Sequence, residues 1–343
     1  MNIDSPRSQI EFLRRSFSAV NAVRIFQIYA LFFLMFSCAT PSQNNPSPSS
    51  NIVTQANQYA RDGLYREAIE AYKKAKATDP KNVAINRNLG MVLVKAGDYK
   101  GAIKNLELAL TRYSQDADAN FYLAESYRAE NRLTDAIFRY QSTLKLKPSY
   151  KSAMKSLAWS YYRVRAYSEA LTTIEQYKVR TPHDEQAVLI KARILIKLKR
   201  EQEAMDQLQV AMQSIPSESL AFFRAVQGDA QLAMGQEKKA EMLYLTALKD
   251  QPLLSSALLG YGKILIMRNQ KDQAREYLDR SLNLSPQNPE AYYLLSVAYE
   301  KSNSKKSLAY LRTFVKQAAH DPEYSQLLKT AKNSIAKLGP LKP

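Results

Sequence analysis

The chain has 343 residues, of which 45% are hydrophobic and only 9 are glycine, and its net charge is +17 at pH 7. This composition favours a mostly helical protein, and the charge favours acidic partners, anionic lipid headgroups or nucleic acid. The single cysteine excludes an internal disulfide. The two histidines, His183 and His320, lie far apart in the sequence and indicate neither a metal site nor a catalytic triad.

Residues 1–37 differ from the rest of the chain. Four arginines precede an apolar run of 12 residues, from Ile25 to Phe36, and Ser37 and Cys38 follow at once. Such a run is short for a membrane-spanning helix and typical of the hydrophobic part of a signal peptide. The segment LMFSC resembles a bacterial lipoprotein signal, which implies a signal peptide at 1–37 and lipidation of Cys38. An uncleaved N-terminal anchor helix is the alternative interpretation.

Residues 38–50 are polar, with the segment TPSQNNPSPSS running from Thr40 to Ser50. This stretch is rich in Pro, Ser and Asn and has no apolar periodicity, so it cannot bury enough apolar surface to fold by itself. We therefore predict a lipidated cysteine followed by a disordered tether. Its average span of about 20 Å would hold the following residues close to a membrane surface.

Residues 51–320 repeat with a period close to 34. One unit, Ala117–Tyr150, contains two stretches with apolar residues at helical spacing, separated by Asn131 and closed by Pro148. Small residues return at steps of 34, apart from one step of 36: Ala68, Ala102, Ala136, Ala170, Ala204, Ala240 and Ala274. Residues that tolerate a left-handed backbone precede five of these alanines by five positions: Gly63, Gly97, Asn131, Gly235 and Asn269.

A period of 34 residues built from helix pairs resembles the tetratricopeptide repeat (TPR) family. The resemblance implies an all-α fold, a right-handed solenoid of about eight helix pairs that bury their apolar faces against one another. Alanine or glycine at the helix crossings allows the two backbones to approach closely. We interpret these small residues as structural.

Residues 321–339 follow the last repeat and predict a capping helix. Asp321 suits the N-cap, and Pro322 suits the first helical position. An apolar stripe then runs along one face of the helix: Tyr324, Leu327, Leu328, Ala331, Ile335 and Leu338. Such a helix would cover the open end of the array.

The resemblance places the first helix of each pair on the concave side of the solenoid. In the second to fifth repeats, one face of these helices is basic and aromatic. The candidate peptide-binding residues on it are Arg87, Asn88, Tyr122, Arg128, Lys155, Trp159, Tyr162, Arg163, Arg193 and Lys197. Such a groove suits an extended acidic or aromatic peptide. The competing interpretation is that the charges are solvated and the aromatic residues pack between repeats.

In the sixth to eighth repeats the same face is mostly apolar. Its residues are Phe222, Val226, Leu232, Leu259, Ile266, Met267, Tyr293 and Leu294. Two interpretations remain open: a helix or strand of a partner covers this face, or the superhelix closes on itself.

The sequence contains no nucleophile–base pair, no phosphate-binding glycine loop and no metal-ligand spacing. We therefore expect a binding protein rather than an enzyme, with no metal and no cofactor. The hypothesis is a scaffold or adaptor of the bacterial cell envelope, at the outer membrane or the periplasmic face. It would bind protein or peptide segments, acidic ones included, attach to the membrane through its N-terminal lipid and, being exported, bind no nucleic acid. The alternative is a cytoplasm-facing TPR adaptor held by an uncleaved N-terminal anchor helix.

Overall fold

A computed structural model describes residues 48–80, 82–319 and 321–338 of the protein. The predicted signal peptide and the lipidation site at Cys38 lie outside the described residues, as do the tether residues before Pro48 and the residue His320.

The described residues form seventeen α-helices and no strand, which confirms the all-α prediction. The helices are α1 (Pro48–Arg61), α2 (Tyr65–Thr78), α3 (Val83–Lys95), α4 (Tyr99–Arg112), α5 (Ala117–Ala129), α6 (Leu133–Leu146), α7 (Lys151–Arg163), α8 (Tyr167–Arg180), α9 (Glu185–Lys197), α10 (Glu201–Ala211), α11 (Leu220–Ala233), α12 (Glu237–Asp250), α13 (Ser255–Met267), α14 (Lys271–Leu284), α15 (Pro289–Tyr299), α16 (Ser304–Ala318) and α17 (Ser325–Leu338). Short 3₁₀ turns occupy Ser217–Ser219 and Pro322–Tyr324.

Helices α1 to α16 are eight consecutive pairs, as predicted, and α17 packs on α16 at the end of the array. The first helix of one pair also packs against the first helix of the next, as α3 does on α5 and α9 on α11. The second helices do not contact one another to this extent among the described pairs. First helices are therefore closer together than second helices, which places them on the inner side of the curved array.

The helix crossings are built around buried small residues. All seven predicted alanines are fully buried. In three repeats a tyrosine from the second helix fills the crossing: Tyr72, Tyr140 and Tyr244. A Cβ atom on Gly228 would lie 2.6 Å from the ring of Tyr244, so only glycine leaves space for that ring.

The turns within the pairs explain the regular spacing. All five predicted turn residues have positive φ, between 58° at Asn131 and 82° at Gly97. The fourth and fifth repeats place Arg165 (φ 66°) and Lys199 (φ 62°) at the same point. These two residues carry no sequence signal for a left-handed backbone, and each costs about 1 kcal/mol relative to glycine.

Two boundaries differ from the predictions, and the longer step before the sixth repeat has a structural cause. Helix α1 begins at Pro48, three residues before the predicted start of the array, because proline is favoured in the first helical turn. The 3₁₀ turn at Ser217–Ser219 absorbs the two extra residues before the sixth repeat. The predicted capping helix is divided, because a separate 3₁₀ turn at Pro322–Tyr324 precedes α17.

Candidate binding groove

Two predicted groove cations, Arg87 and Lys155, pair with acidic residues of the following repeat. The guanidinium of Arg87 donates to Asp116, and Lys155 Nζ lies 3.1 Å from Asp184 Oδ2. Each of these aspartates also caps its helix, because Asp116 accepts from the backbone N–H of Ala119 at 2.9 Å and Asp184 caps α9 in the same way. Both cations therefore connect neighbouring repeats.

The pKa of Asp116 is lowered in this pair. Burial of the carboxyl group raises this pKa, but the hydrogen bonds from Arg87 and from the Ala119 backbone outweigh burial and lower it below its ordinary value. Asn88 belongs to the same region, since its side chain accepts from Arg87 at 3.1 Å and donates to Asn57 at 3.4 Å.

The buried crossing tyrosines donate hydrogen bonds to polar residues on the groove face of their own repeats. Tyr72 donates to Asn57 at 2.5 Å, and Tyr244 donates to Asp229 at 2.8 Å. Tyr140 donates in the same way to Glu125, again across 15 residues of sequence. The acids on this face are therefore structural acceptors. A polar residue 15 positions before a crossing tyrosine is the sequence pattern that identifies these acceptors, and the periodicity of apolar residues does not predict it.

Glu125 is the centre of the largest of these networks. Arg128 donates to it at 2.7 Å, and Ser156 of the next repeat also donates at 2.7 Å. Burial raises the pKa of Glu125, but Arg128 and the hydrogen bonds from Tyr140 and Ser156 outweigh burial and lower it. The charge of Arg128, a predicted groove residue, is thus offset within its own helix.

The predicted aromatic residues divide between the groove surface and the core. The half-buried ring of Tyr122 meets the edge of Phe121, with 5.5 Å between ring centroids. Trp159 is partly exposed and stacks on Tyr162, with 5.0 Å between centroids and 19° between planes. Tyr162 itself is only 8% exposed. It therefore supports Trp159 from below and offers little surface to a ligand, which corrects its predicted place in the groove.

Arg163 and Lys197 have an unexpected partner, the segment just before α17. The guanidinium of Arg163 pairs with Asp321, 158 residues away in sequence. Lys197 Nζ lies 2.9 Å from Glu323 Oε1. Burial lowers the pKa of Lys197, but Tyr162 and Glu323 together outweigh burial and raise it. We call the segment Asp321–Tyr324 the acidic turn. Its Pro322 also lines a surface cavity of about 390 Å³ together with the turn after α5.

Arg193 lies between these features on α9. It has no acidic group within ion-pair distance among the described side chains, and it is partly exposed. Its charge still reaches two neighbours. Burial raises the pKa of Asp229 and of Tyr162, and the charge of Arg193 partly opposes both increases. Four of the predicted residues thus converge at one place: Tyr162, Arg163, Arg193 and Lys197.

The apolar face of the sixth to eighth repeats is only partly a surface. Val226 and Leu294 are buried in the array and cannot contact a ligand, which corrects their assignment to the groove. Met267 is 58% exposed. The ring of Tyr293 packs on Phe314 of α16 at 5.3 Å between centroids, and Phe314 meets Tyr324 edge-on. Of the two interpretations left open, closure of the superhelix by its own C-terminal segment agrees with these contacts.

The described residues contain no group of three or more side chains that could hold a metal ion. None of the described helices combines the length and the apolar character needed to cross a membrane.

Comparison with known proteins agrees with this architecture. Two family models described as tetratricopeptide repeat match the chain, one at residues 53–117 and 87–151 and the other at 231–298. A model described as anaphase-promoting complex, cyclosome, subunit 3 matches residues 129–211. The chain is a tetratricopeptide repeat protein.

The relatives of this TPR protein are distant. A BBSome complex member BBS4 homolog from Drosophila melanogaster is 23% identical over 261 residues, which cover 72% of this chain and 53% of that protein. The chain thus spans about half the length of this curated relative. Among solved structures, a tetratricopeptide repeat protein from Parabacteroides merdae matches 73% of this chain and 98% of its own, with 16% identity and a TM-score of 0.65.

Two other solved structures match more of the chain. Yeast Tom70 covers 87% of this chain and 66% of its own, with 13% identity and a TM-score of 0.58. The APC/C hetero-tetramer Cut9–Hcn1 covers 84% and 57%, with 15% identity and a TM-score of 0.51. At these identities the likeness concerns the fold alone. TPR proteins are generally non-catalytic scaffolds, and their folds commonly bind protein partners.

Proposed function

We propose that this TPR protein is a membrane-tethered scaffold of the bacterial cell envelope that binds an acidic segment of a partner protein in its concave groove. The observation that carries the proposal is the pairing of Arg163 and Lys197 with Asp321 and Glu323. This contact is an example, within the protein itself, of an acidic segment lying on this part of the groove. Trp159 is partly exposed beside it, and Arg193 nearby has no acidic partner among the described side chains, so both are available to a ligand.

Two substitutions test the groove in the full-length protein. Trp159→Ala removes a partly exposed aromatic surface, and Arg193→Glu reverses the charge beside it. We expect each to reduce partner capture after crosslinking in the native cell, by about tenfold or more, as for central residues of an interface. Lys239→Glu is the matched control, because Lys239 is an exposed residue on the second helix of its pair. Equal capture by all variants, with circular dichroism unchanged, would exclude the groove.

The membrane attachment rests on the apolar run 25–36, on Cys38 and on the polar stretch that follows. A lipid on Cys38 would attach the array to a membrane without any spanning helix. We expect the wild-type protein to incorporate labelled fatty acid and the Cys38→Ala variant to incorporate none. The mass of the mature N-terminus separates the two topologies, since a cleaved protein begins at Cys38. A mature chain that retains residues 1–37 would favour the cytoplasm-facing adaptor with an uncleaved anchor.

A further inference from the structure

The acidic turn lies in the groove against Arg163 and Lys197, and these contacts differ from those of a simple end cap. We propose that the acidic turn is a displaceable occupant of the groove, and that a partner segment with two acidic residues two positions apart competes with it for Arg163 and Lys197. The inference rests on the proposed function, because it identifies the partner chemistry and the regulation of the same groove.

The two cations and the two acids match in spacing. Arg163 and Lys197 are 34 residues apart and thus occupy the same position in consecutive repeats, each at the last residue of a first helix. Helices α7 and α9 contact each other, so the two cations project from neighbouring sites. Each cation takes one of two acids that are separated only by Pro322.

The local conformation of the turn holds its first carboxylate in place. Asp321 Oδ1 accepts from the backbone N–H of Glu323 at 3.0 Å, which leaves Oδ2 for Arg163. Pro322 restricts φ at the first position of the 3₁₀ turn. Only 1% of the Asp321 side chain is exposed. A short peptide with the same acid–proline–acid order would reproduce these features without the rest of α17.

The use of ion pairs, rather than apolar residues, between the acidic turn and the groove favours a contact that can be replaced by another acidic segment. A buried ion pair contributes little net stability compared with apolar residues of similar size, since both groups lose hydration. Tyr324 already packs on Phe314, so α17 could be attached by apolar contacts alone. On the groove side, 30% of the Arg163 side chain and 39% of the Lys197 side chain are exposed. An incoming acidic segment can therefore reach both cations from solvent.

The turn can leave without dismantling the array. Helix α17 packs on α16, and its apolar residues belong to a cluster that also includes Tyr292 and Tyr293 of α15. The acidic turn is joined to α7 and α9 by the two ion pairs, and its Pro322 also lines a cavity with the turn after α5. The more exposed pair, Lys197 with Glu323, weakens as salt rises. Release would expose Arg163 and Lys197 beside Arg193 and Trp159.

The experiment measures binding of a peptide to the full-length protein in mild detergent. The probe is an acetylated, fluorescein-labelled peptide of residues 321–328, DPEYSQLL, followed by fluorescence anisotropy. Asp321→Asn combined with Glu323→Gln opens the site. Glu241→Gln combined with Asp250→Asn is the matched control, because it removes two acidic charges from ion pairs with Arg268 and Arg224 elsewhere in the array.

We expect the opened variant to bind the peptide on the order of tenfold more tightly than the wild type or the control, because the internal competitor is weakened. Adding Arg163→Ala and Lys197→Ala to the opened variant should abolish binding, and so should replacing both acids of the peptide by amides. Equal affinity for wild type and opened variant, or no binding to either, would overturn the proposal.

Trp159, the sole tryptophan, provides a second measurement. It stacks on Tyr162, the neighbour of Arg163, so its emission should shift when salt or peptide displaces the turn. If the double variant does not fold, Glu323→Gln alone serves as the opened form, since Glu323 is the more exposed acid. A peptide that leaves Trp159 emission unchanged while binding elsewhere would also contradict the proposal.

The same variants separate this proposal from the proposed function. A cellular partner captured equally by wild type and opened variant, but lost on Arg193→Glu, would keep the groove function and remove the displaceable turn. Peptide binding to the opened variant, without any cellular partner that depends on the groove, would keep the displaceable turn and remove the proposed groove function.

Discussion

The groove of the second and third repeats and the C-terminal ends of α7 and α9 carry similar basic residues but use them differently. Lys155, near the start of α7, still pairs as Arg87 does. Arg87 and Arg128 pair with acids in the same or the next repeat, at sequence separations that recur through the array. Arg163 and Lys197 pair with a segment at the far end of the chain. The first set stabilises stacking of neighbours, whereas the second connects distant parts of the solenoid.

The largest expected effect lies in the first region. Glu125→Ala should leave the buried hydroxyl of Tyr140 and the charge of Arg128 without their acceptor. We expect the free energy of unfolding to fall by about 3 kcal/mol, as when one member of a buried ion pair is removed. Denaturant unfolding followed by circular dichroism measures this. A loss smaller than that of Asp321→Ala would contradict the assignment of Glu125 as the central acceptor.

The stability contributed by the Glu125 network should depend on pH. The pKa of Glu125 is lowered from its ordinary value of 4.5, so its stabilising contribution is complete above that value and is lost as the pH falls through the folded-state pKa. The stability difference between the wild type and Glu125→Gln should therefore be constant near neutral pH and shrink below about pH 4. A difference that grows on acidification would contradict the predicted direction.

In the second region, Asp321→Ala should remove a long-range contact without disturbing the stacking of neighbours. We expect a loss of about 1 to 2 kcal/mol, because Arg163 keeps access to water after its partner is removed. The effect should be local. Amide hydrogen exchange should rise in α16 and α17 and stay unchanged in α3 to α6, as nearest-neighbour coupling in a repeat array predicts. A uniform rise throughout the array would contradict this locality.

Periodicity was sufficient for the fold, since each alanine at a crossing and each glycine or asparagine at a turn carries local information about its own repeat. The same periodicity does not predict which acidic residue each groove cation pairs with. Arg87 and Arg163 look alike in the sequence, because each is a basic residue on the predicted groove face of a first helix. The difference between them lies in the curvature of the solenoid, which sums small rotations over several repeats and returns residue 321 to α7.

The N-cap at Asp321 shows how much of a side chain's role local sequence can predict. Its position before Pro322 and Glu323 correctly predicted that it caps a helical turn. A carboxylate has two oxygens, however, and local sequence accounts for only one of them. The second oxygen faces Arg163, and only the three-dimensional path of the chain brings these two residues together.

A smaller effect is expected for Arg87→Ala, which compares the two kinds of basic residue directly. It should cost about 1 kcal/mol, because the pair with Asp116 is partly hydrated and Asp116 keeps its capping bond to Ala119. It should leave Trp159 emission and binding of the DPEYSQLL peptide by the opened variant unchanged. Arg163→Ala should abolish that binding. Similar loss of peptide binding in both variants would show that the two regions form one continuous binding surface.

The smallest effect concerns the turns of the fourth and fifth repeats, where Arg165 and Lys199 have positive φ. Their side chains are exposed, so replacing either by glycine removes backbone strain and loses little contact. The gain is partly offset by the greater freedom of glycine in the unfolded chain, which leaves about 0.5 kcal/mol of net stabilisation for each substitution. Asn131→Gly at the matching turn of the third repeat should be close to neutral, because asparagine already tolerates this conformation. Denaturant unfolding of the three variants measures the order, and destabilisation by Arg165→Gly would indicate that its side chain makes a contact worth more than the strain it imposes.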